Sequence, residues 1–352
     1  MSIASAIQNK QAQIASAYTA CGSKGITLPP IQNRTLTNLA ETISAITAST
    51  PVNQKIQKWV CSGGVYTREE EIVGANYMTV PAYKFQNNTS FVSVLLPDTV
   101  NEVRQGAFDG CTNLKYINLD NVRYFIINCF RNCNLEYVHA KDVRNLEGGA
   151  FYGNANLVEV SLSSATANIS IGGNSVFQEC TSLKKVTVPE TTTSLGNYCF
   201  TDCTNLEELN FPQTITHLGA ICLRNCIKLE FVCNLPNLTS FDTAFQGCGV
   251  TGIENLGSIT NCGGNSSIAS CTKLTYAKLP STFTSMGNWL FASDTALTTV
   301  YIYATTPPDY GTAPFQGCSS LAHIYVPSAS VSAYQGATGW SAHASIISAI
   351  PS

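Results

Sequence analysis

A repeat of 21 to 26 residues runs through most of this 352-residue chain and limits the folds open to it. Each copy is marked by an apolar residue, here called the anchor, as in AFDGCTNLKYINL. The eleven anchors are Phe85, Phe108, Phe130, Phe151, Phe177, Phe200, Leu223, Phe245, Ile268, Phe291 and Phe315. A fixed period of this length predicts a solenoid, in which one small unit of structure is stacked along the chain.

Two apolar positions follow each anchor and usually a third, as Leu114, Ile117 and Leu119 do after Phe108. The last two are two residues apart, so their side chains share one face of a short strand. A proline such as Pro97 often comes next and ends the strand, since proline cannot donate to a β-ladder. Stacked units would bury these positions, and their strands would form a parallel sheet.

The pattern AFxxCxxLxxIxLP resembles the BspA-like leucine-rich repeats of bacterial surface proteins, from about residue 77 to the end of the chain. The resemblance implies a leucine-rich-repeat solenoid that acts as a recognition scaffold. The final segment, HIYVPSASVSAYQGATGWSAHASIISAI, resembles the closing segment of the same family, with Val331, Tyr334, Trp340 and Ile347 covering the last repeat. A cap of this kind is needed because an open solenoid end exposes apolar side chains and unpaired backbone.

The first fifty residues have a different pattern, with two amphipathic segments that predict short helices. The apolar residues that would need a partner are Ile3, Ile7, Ile14, Tyr18, Leu39 and Ile43. The stretch KGITLPPIQNRTLTNLAETISAI is similar to N-terminal segments of bacteriophage tail and fibre proteins, through Lys24, Gly25, Pro29, Asn38, Leu39, Ile43 and Ile46. This similarity implies attachment to virion tail or baseplate proteins, or homo-oligomer formation. The alternative is a helical hairpin folded against the first cap.

We therefore predict an α+β repeat solenoid with a parallel β-sheet face and a small N-terminal helical module. Four parts are expected: a helical attachment or oligomerisation module at 1–50, a β cap at 51–84, the leucine-rich repeats at 85–326 and a C-terminal cap at 327–352.

Fifteen cysteines suggest disulfides or a zinc site, but the repeat register favours another interpretation. Eight of them lie three residues after an anchor: Cys111, Cys133, Cys180, Cys203, Cys226, Cys248, Cys271 and Cys318. Cys129, Cys199 and Cys222 lie one residue before an anchor, where other repeats have alanine. Because cysteine packs as a small hydrophobe, we predict buried free thiols and no metal.

No catalytic signature is present. The four histidines have no sequence neighbours that would form a metal pair or a triad, so we predict neither an enzyme nor a cofactor. The net charge is −3 and the basic residues are scattered, which argues against nucleic acid as a partner. The chain contains no apolar run of the roughly 18 residues that a membrane helix needs. The first twenty residues lack the apolar stretch of a signal peptide, so none is expected.

Aromatic side chains are frequent at the strand positions that alternate with the buried ones and should face outward. An early cluster comprises Tyr116, Tyr137 and His139, and a late cluster comprises Tyr276, Tyr301, His323 and Tyr325. We predict that the late cluster, or else the early one, binds a ligand. The alternative is that aromatics simply favour strands. The same alternation places Phe231 and Cys233 outward.

Two functions follow. The first is a bacteriophage tail component, located in the virion, whose repeats bind a host surface protein or glycan. The alternative is an adhesion protein of a bacterial cell surface. A third class, an enzyme with a site assembled across repeats, would require a deep pocket holding a perturbed titratable group.

Overall fold

The computed structural model describes residues 55–62, 65–73, 76–164 and 169–351. The expected helical module at 1–50 and its assembly residues lie outside these ranges. The chain divides into two compact units, and the repeats belong to the unit formed by Ile56–Glu71 and Tyr77–Ser352. The fold of this second unit positions the candidate site.

The strands, in chain order, are β1 (Lys55–Ser62), β2 (Val65–Ile72), β3 (Thr79–Val80), β4 (Phe91–Leu95), β5 (Glu102–Val103), β6 (Tyr116–Ile117), β7 (Tyr124–Phe125), β8 (Tyr137–Ala140), β9 (Asn145–Leu146), β10 (Glu159–Leu162), β11 (Ile169–Ile171), β12 (Lys185–Thr187), β13 (Thr192–Leu195), β14 (Glu208–Leu209), β15 (His217–Leu218), β16 (Val232–Asn234), β17 (Ser240–Phe241), β18 (Gly252–Asn255), β19 (Tyr276–Leu279), β20 (Thr299–Ile302), β21 (His323–Val326) and β22 (Ile347–Ala349). Among the described residues, one α-helix, α1 (Val331–Gly336), occurs, between two 3-10 helices at Ser328–Ser330 and Trp340–Ile346.

The described strands form a parallel solenoid with two sides. The main face has one strand per turn, twelve in all, in three segments ordered β4-β6, β8-β10-β12-β14 and β16-β18-β19-β20-β21-β22. The second side has shorter strands, ordered β3-β5-β7-β9 and β11-β13-β15-β17. At the N-terminal end, β1 pairs with β4 in the antiparallel direction and carries β2 at its edge. The predicted parallel sheet along the repeats is thus confirmed.

The anchors form the centre of the core. Phe130 and Phe151 stack with ring centroids 5.4 Å apart and ring planes 6° apart, and the next pair, Phe151 and Phe177, stacks at 5.5 Å. The main-chain N–H of Phe130 donates to the carbonyl oxygen of Ala150 in the following turn, 2.8 Å away. These phenylalanine anchors therefore contribute ring packing, and backbone bonds such as that of Phe130 join their turns.

The anchor turn requires two residues with positive φ, one two positions before the anchor and one two positions after it. Around Phe151 these are Gly149, with φ of 65°, and Gly153, with φ of 69°. Elsewhere asparagine takes one of these positions, as at Asn132 with φ of 52°, but so do residues that rarely adopt the left-handed region, such as Ile221 with φ of 60°. Packing between neighbouring turns must therefore hold this conformation.

The predicted α+β class is not supported by the described part of the chain. Between the first and last anchors the described residues form strands and turns, and α1 comes after the last repeat. The described repeats reverse direction through left-handed turns rather than through a helix. In the described ranges, no helix combines the length and the apolar character that crossing a bilayer demands.

The C-terminal segment closes the last turn. Tyr334 and Trp340 are fully buried. The Tyr334 hydroxyl donates to the carbonyl oxygen of Ala304 at 2.8 Å, and the Trp340 indole N–H donates to that of Pro308 at 2.8 Å. Backbone carbonyls at the solenoid end are thus bonded by buried aromatic side chains.

Candidate recognition surface

The late cluster lies on three neighbouring strands of the main face. β19, β20 and β21 pair in parallel, with Tyr276 opposite Thr299, Thr299 opposite His323, and Tyr301 opposite Tyr325. The residues between them, such as Val300, are fully buried, so the named side chains point away from the core. The structure therefore brings Tyr301, His323 and Tyr325 together, as the alternation predicted.

The rings of this cluster contact one another. Tyr301 and Tyr325 have ring centroids 5.1 Å apart, and the rings of His323 and Tyr325 are 5.4 Å apart and nearly parallel, at 9°. Three aromatic rings on adjacent strand positions form one continuous surface. Such a surface is preorganised, because ring packing holds each side chain in place.

A charged pair joins Tyr276 to this aromatic surface. Glu254 accepts a hydrogen bond from the Tyr276 hydroxyl at 3.2 Å and from the Lys278 ammonium at 2.5 Å. The Lys278 ammonium in turn lies 5.9 Å from the centre of the Tyr301 ring. The bond from Lys278 lowers the pKa of Glu254, and both groups remain charged at neutral pH. The late cluster and this ion pair together are called the aromatic platform below.

The early cluster is less continuous. The rings of Tyr137 and His139 lie 6.4 Å apart and nearly parallel. Tyr116 belongs to another segment of the main face and donates instead to the Glu136 carboxylate at 2.8 Å. Burial, followed by the bond to Glu136, raises the pKa of Tyr116 to about 12, so its hydroxyl stays protonated. The structure thus links two of the three predicted residues.

The outward assignments of Phe231 and Cys233 were wrong. Cys233 is buried, Val232 beside it is 50% exposed, and the Phe231 ring packs against that of the buried anchor Phe245, with centroids 6.1 Å apart. The pairing explains the difference, because Val232 lies opposite Gly252 and Cys233 opposite Ile253, which is itself buried. This turn is therefore shifted by one residue relative to the sequence pattern, and a one-residue shift exchanges the two faces of a strand.

The cysteine columns lie in the core, and all fourteen described cysteines are free thiols. The thiol of Cys203 donates to the carbonyl oxygen of Phe177 in the preceding turn, with Sγ and O 3.1 Å apart, and that of Cys271 donates to Phe245 at 2.9 Å. Asn154 takes the same column position in another repeat, and its amide donates to Phe130 at 2.8 Å. Burial raises the pKa of Cys203 well above the ordinary value. These thiols have a structural role, as the repeat register predicted.

The sequence did not suggest that Asp294, in the same column, would be unusual. The side chain is fully buried, and one carboxyl oxygen accepts a bond from the Cys271 N–H at 2.7 Å. Burial raises the pKa of Asp294 to about 9. This group is inside the core rather than in an open cleft, so it does not form the perturbed pocket that an enzyme would need. The described residues contain no group of three or more potential metal ligands.

Comparison with known proteins identifies the family. Residues 78–175, 166–267 and 242–337 match the family described as BspA type leucine-rich repeat region, with six copies. The chain therefore belongs to the BspA-type leucine-rich repeat family. No curated protein matches it in sequence.

One solved structure supports the fold, and a second aligns with a lower TM-score. A leucine-rich repeat protein from Bacteroides ovatus is 21% identical, with a TM-score of 0.54 over 77% of this chain and 74% of the other. A leucine-rich cell surface protein from Faecalibacterium prausnitzii is 18% identical, with a TM-score of 0.36 over 84% of this chain and 90% of the other. The first likeness shows a shared solenoid fold, and neither indicates a ligand.

Proposed function

We propose that the chain is a non-enzymatic recognition protein of a bacterial cell surface, which binds a host surface protein or glycan through the aromatic platform. The observation that carries this proposal is the continuous contact of Tyr301, Tyr325 and His323 on the outward side of β20 and β21. Aromatic residues backed by charged partners are the usual anchors of binding surfaces. The surface location rests on the family alone.

The proposal is tested by binding of the full chain to two arrays, one of glycans and one of extracellular matrix proteins. The double variant Tyr301→Ser/Tyr325→Ser should lose roughly 100-fold in affinity for the ligand found, as loss of two anchors implies. The matched control is Tyr66→Ser/Tyr124→Ser, which removes two exposed tyrosines from other strands. Equal binding by both double variants would remove the platform as the site.

A second candidate, a bacteriophage tail component, is favoured by one observation only. The pattern at residues 24–46 is similar to N-terminal segments of tail and fibre proteins, and it falls outside the described residues. Light scattering on the full chain and on the chain starting at Pro51 tests it. A full-length oligomer that becomes a monomer on truncation would support an assembly module. If both the full chain and the shortened chain are monomers, the cell-surface proposal is favoured.

A further inference from the structure

The main face is interrupted between β14 and β16. β14 is the last strand of one four-stranded segment, and β16 is the first strand of the next. Among the described main-chain hydrogen bonds, none joins residues 207–210 to residues 229–232. One turn earlier, by contrast, the Glu207 N–H donates to Lys184 at 2.9 Å.

The interruption is confined to the main face. On the anchor side of the same two turns, the Phe200 N–H donates to the carbonyl oxygen of Cys222 at 2.8 Å, and the Asp202 N–H donates to that of Arg224 at 2.9 Å. The turns thus remain stacked while their strands do not pair. The one-residue shift at Val232 accounts for the lost pairing, because it puts the donors and acceptors of this turn out of register.

A cleft of about 420 Å³ occupies the interruption. Its apolar part includes Leu209 and Phe231, both only half-buried, whereas Val186, paired with Leu209 one turn earlier, is fully buried. The Phe231 ring packs on the Phe211 ring with centroids 4.8 Å apart. Neighbouring packing therefore holds an aromatic ring in place at the wall of the cleft.

The charged lining of the cleft is acidic. Three glutamates and one lysine line it, namely Glu207, Glu208, Glu230 and Lys185, so the lining has a formal charge of −2. Lys185 is bonded to Glu208 at 2.8 Å. The Glu230 carboxylate bonds to Lys273 at 2.5 Å, and no hydrogen bond to the Glu207 carboxylate occurs among the described residues.

We propose that this cleft binds an arginine side chain of a partner polypeptide. A guanidinium group stacks on an aromatic ring and pairs with a carboxylate through two parallel hydrogen bonds. Phe231 and Glu207, the lining glutamate that is not bonded to a lysine among the described residues, provide these two features. The apolar stem of arginine would cover Leu209, which the broken sheet leaves half-exposed. The site is separate from the aromatic platform, because it lies on β12, β14 and the turn before β16.

The test uses the full chain and three short labelled peptides that differ only in carrying arginine, lysine or citrulline, with binding followed by fluorescence anisotropy. The arginine peptide should bind most tightly and the citrulline peptide least. Glu207→Gln/Glu208→Gln/Glu230→Gln should weaken arginine-peptide binding roughly tenfold. Phe231→Leu should reduce the preference for arginine over lysine.

The matched control is Glu102→Gln/Glu136→Gln/Glu159→Gln, which removes the same charge from residues outside the cleft lining. Equal weakening by the two triple variants would overturn the proposal, since the peptide would then be responding only to net charge. Equal binding of arginine and citrulline peptides would overturn it as well. Neither result bears on the aromatic platform, whose residues are unchanged.

Discussion

The thiol of Cys226 donates a hydrogen bond to the main-chain carbonyl oxygen of Phe200 in the preceding turn, with Sγ and O 3.2 Å apart. The same oxygen also accepts the N–H of Cys203 at 3.1 Å. A carbonyl oxygen has two lone pairs, and the backbone N–H uses only one of them. Each such thiol of the cysteine column therefore provides a donor for the second lone pair of a buried anchor carbonyl. This role needs a reduced thiol and a small side chain.

Cys226→Ala should lower the free energy of unfolding by about 1–2 kcal/mol, because it removes a donor and leaves a small cavity. The matched control is Cys222→Ala, which should cost less, since Ala107, Ala150 and Ala244 take the equivalent position in other turns. Urea denaturation of both variants measures the difference. A smaller loss for Cys226→Ala than for Cys222→Ala would contradict a bonding role for the column.

Asp294 should make stability depend on pH. Burial raises its pKa from 3.8 to about 9, so the folded state favours the protonated acid. This stabilisation is complete below pH 3.8 and is lost as the pH rises toward about 9, so the free energy of unfolding should fall across that interval. Asp294→Asn introduces a neutral amide at the column position where, in another turn, the Asn154 amide donates to an anchor carbonyl. Melting temperatures of the two proteins from pH 5 to pH 9 should therefore diverge as the pH rises, with the variant the more stable, and parallel curves would contradict the assignment.

Thiol accessibility should separate two cysteines from the other described ones. Cys61 and Cys318 are partly exposed, and the remaining twelve are buried. Iodoacetamide applied to the native protein should modify Cys61 first and Cys318 next, because burial raises the pKa of Cys318 to about 12 and a protonated thiol is a poor nucleophile. The twelve buried thiols should react last. Mass spectrometry of peptides locates the label, and the urea-unfolded protein is the control in which all should react. Early labelling of Cys199 or Cys226 in the native protein would show that the core is not packed as described.

Trp340→Ala should destabilise the protein by about 3–5 kcal/mol, since a buried aromatic side chain and its bond to Pro308 are lost together. Trp289→Ala is the matched control, because the Trp289 side chain is 37% exposed on a turn. Thermal unfolding of both variants tests the role of the cap. Similar melting temperatures for the two would mean that the cap adds little to the stability of the last turn.

Much of the fold follows from the repeat itself, because every column of the pattern meets the same surroundings in each turn. The anchor stack, the parallel strands and the burial of Cys203 or Cys271 could be predicted for this reason. The outward direction of the aromatic side chains on β19 to β21 could be predicted from alternation along each strand. Their contacts with Glu254 and Lys278 could not, because these depend on side-chain conformations across neighbouring strands.

The errors have physical causes too. In the segment FVCN, Val232 and Cys233 are both apolar, so alternation cannot decide which of them faces the core. The left-handed turn left a signal that was not used, since Asn87, Asn132 and Gly153 all stand two residues after an anchor. The raised pKa of Asp294 could not be foreseen, because an aspartate in a cysteine column is equally compatible with a solvated turn.

The interruption between β14 and β16 has a mechanical consequence. Backbone hydrogen bonds join the two turns along the anchor side, whereas, among the described residues, the main face has none at this point. The two turns are therefore connected along one side only. Bending that opens the main face here breaks no ladder hydrogen bond, whereas the same bend at β19 and β20 would break several. When the protein is pulled by a partner held on its main face, the turns on either side of this joint should separate before turns whose strands are paired, such as those of β19 and β20.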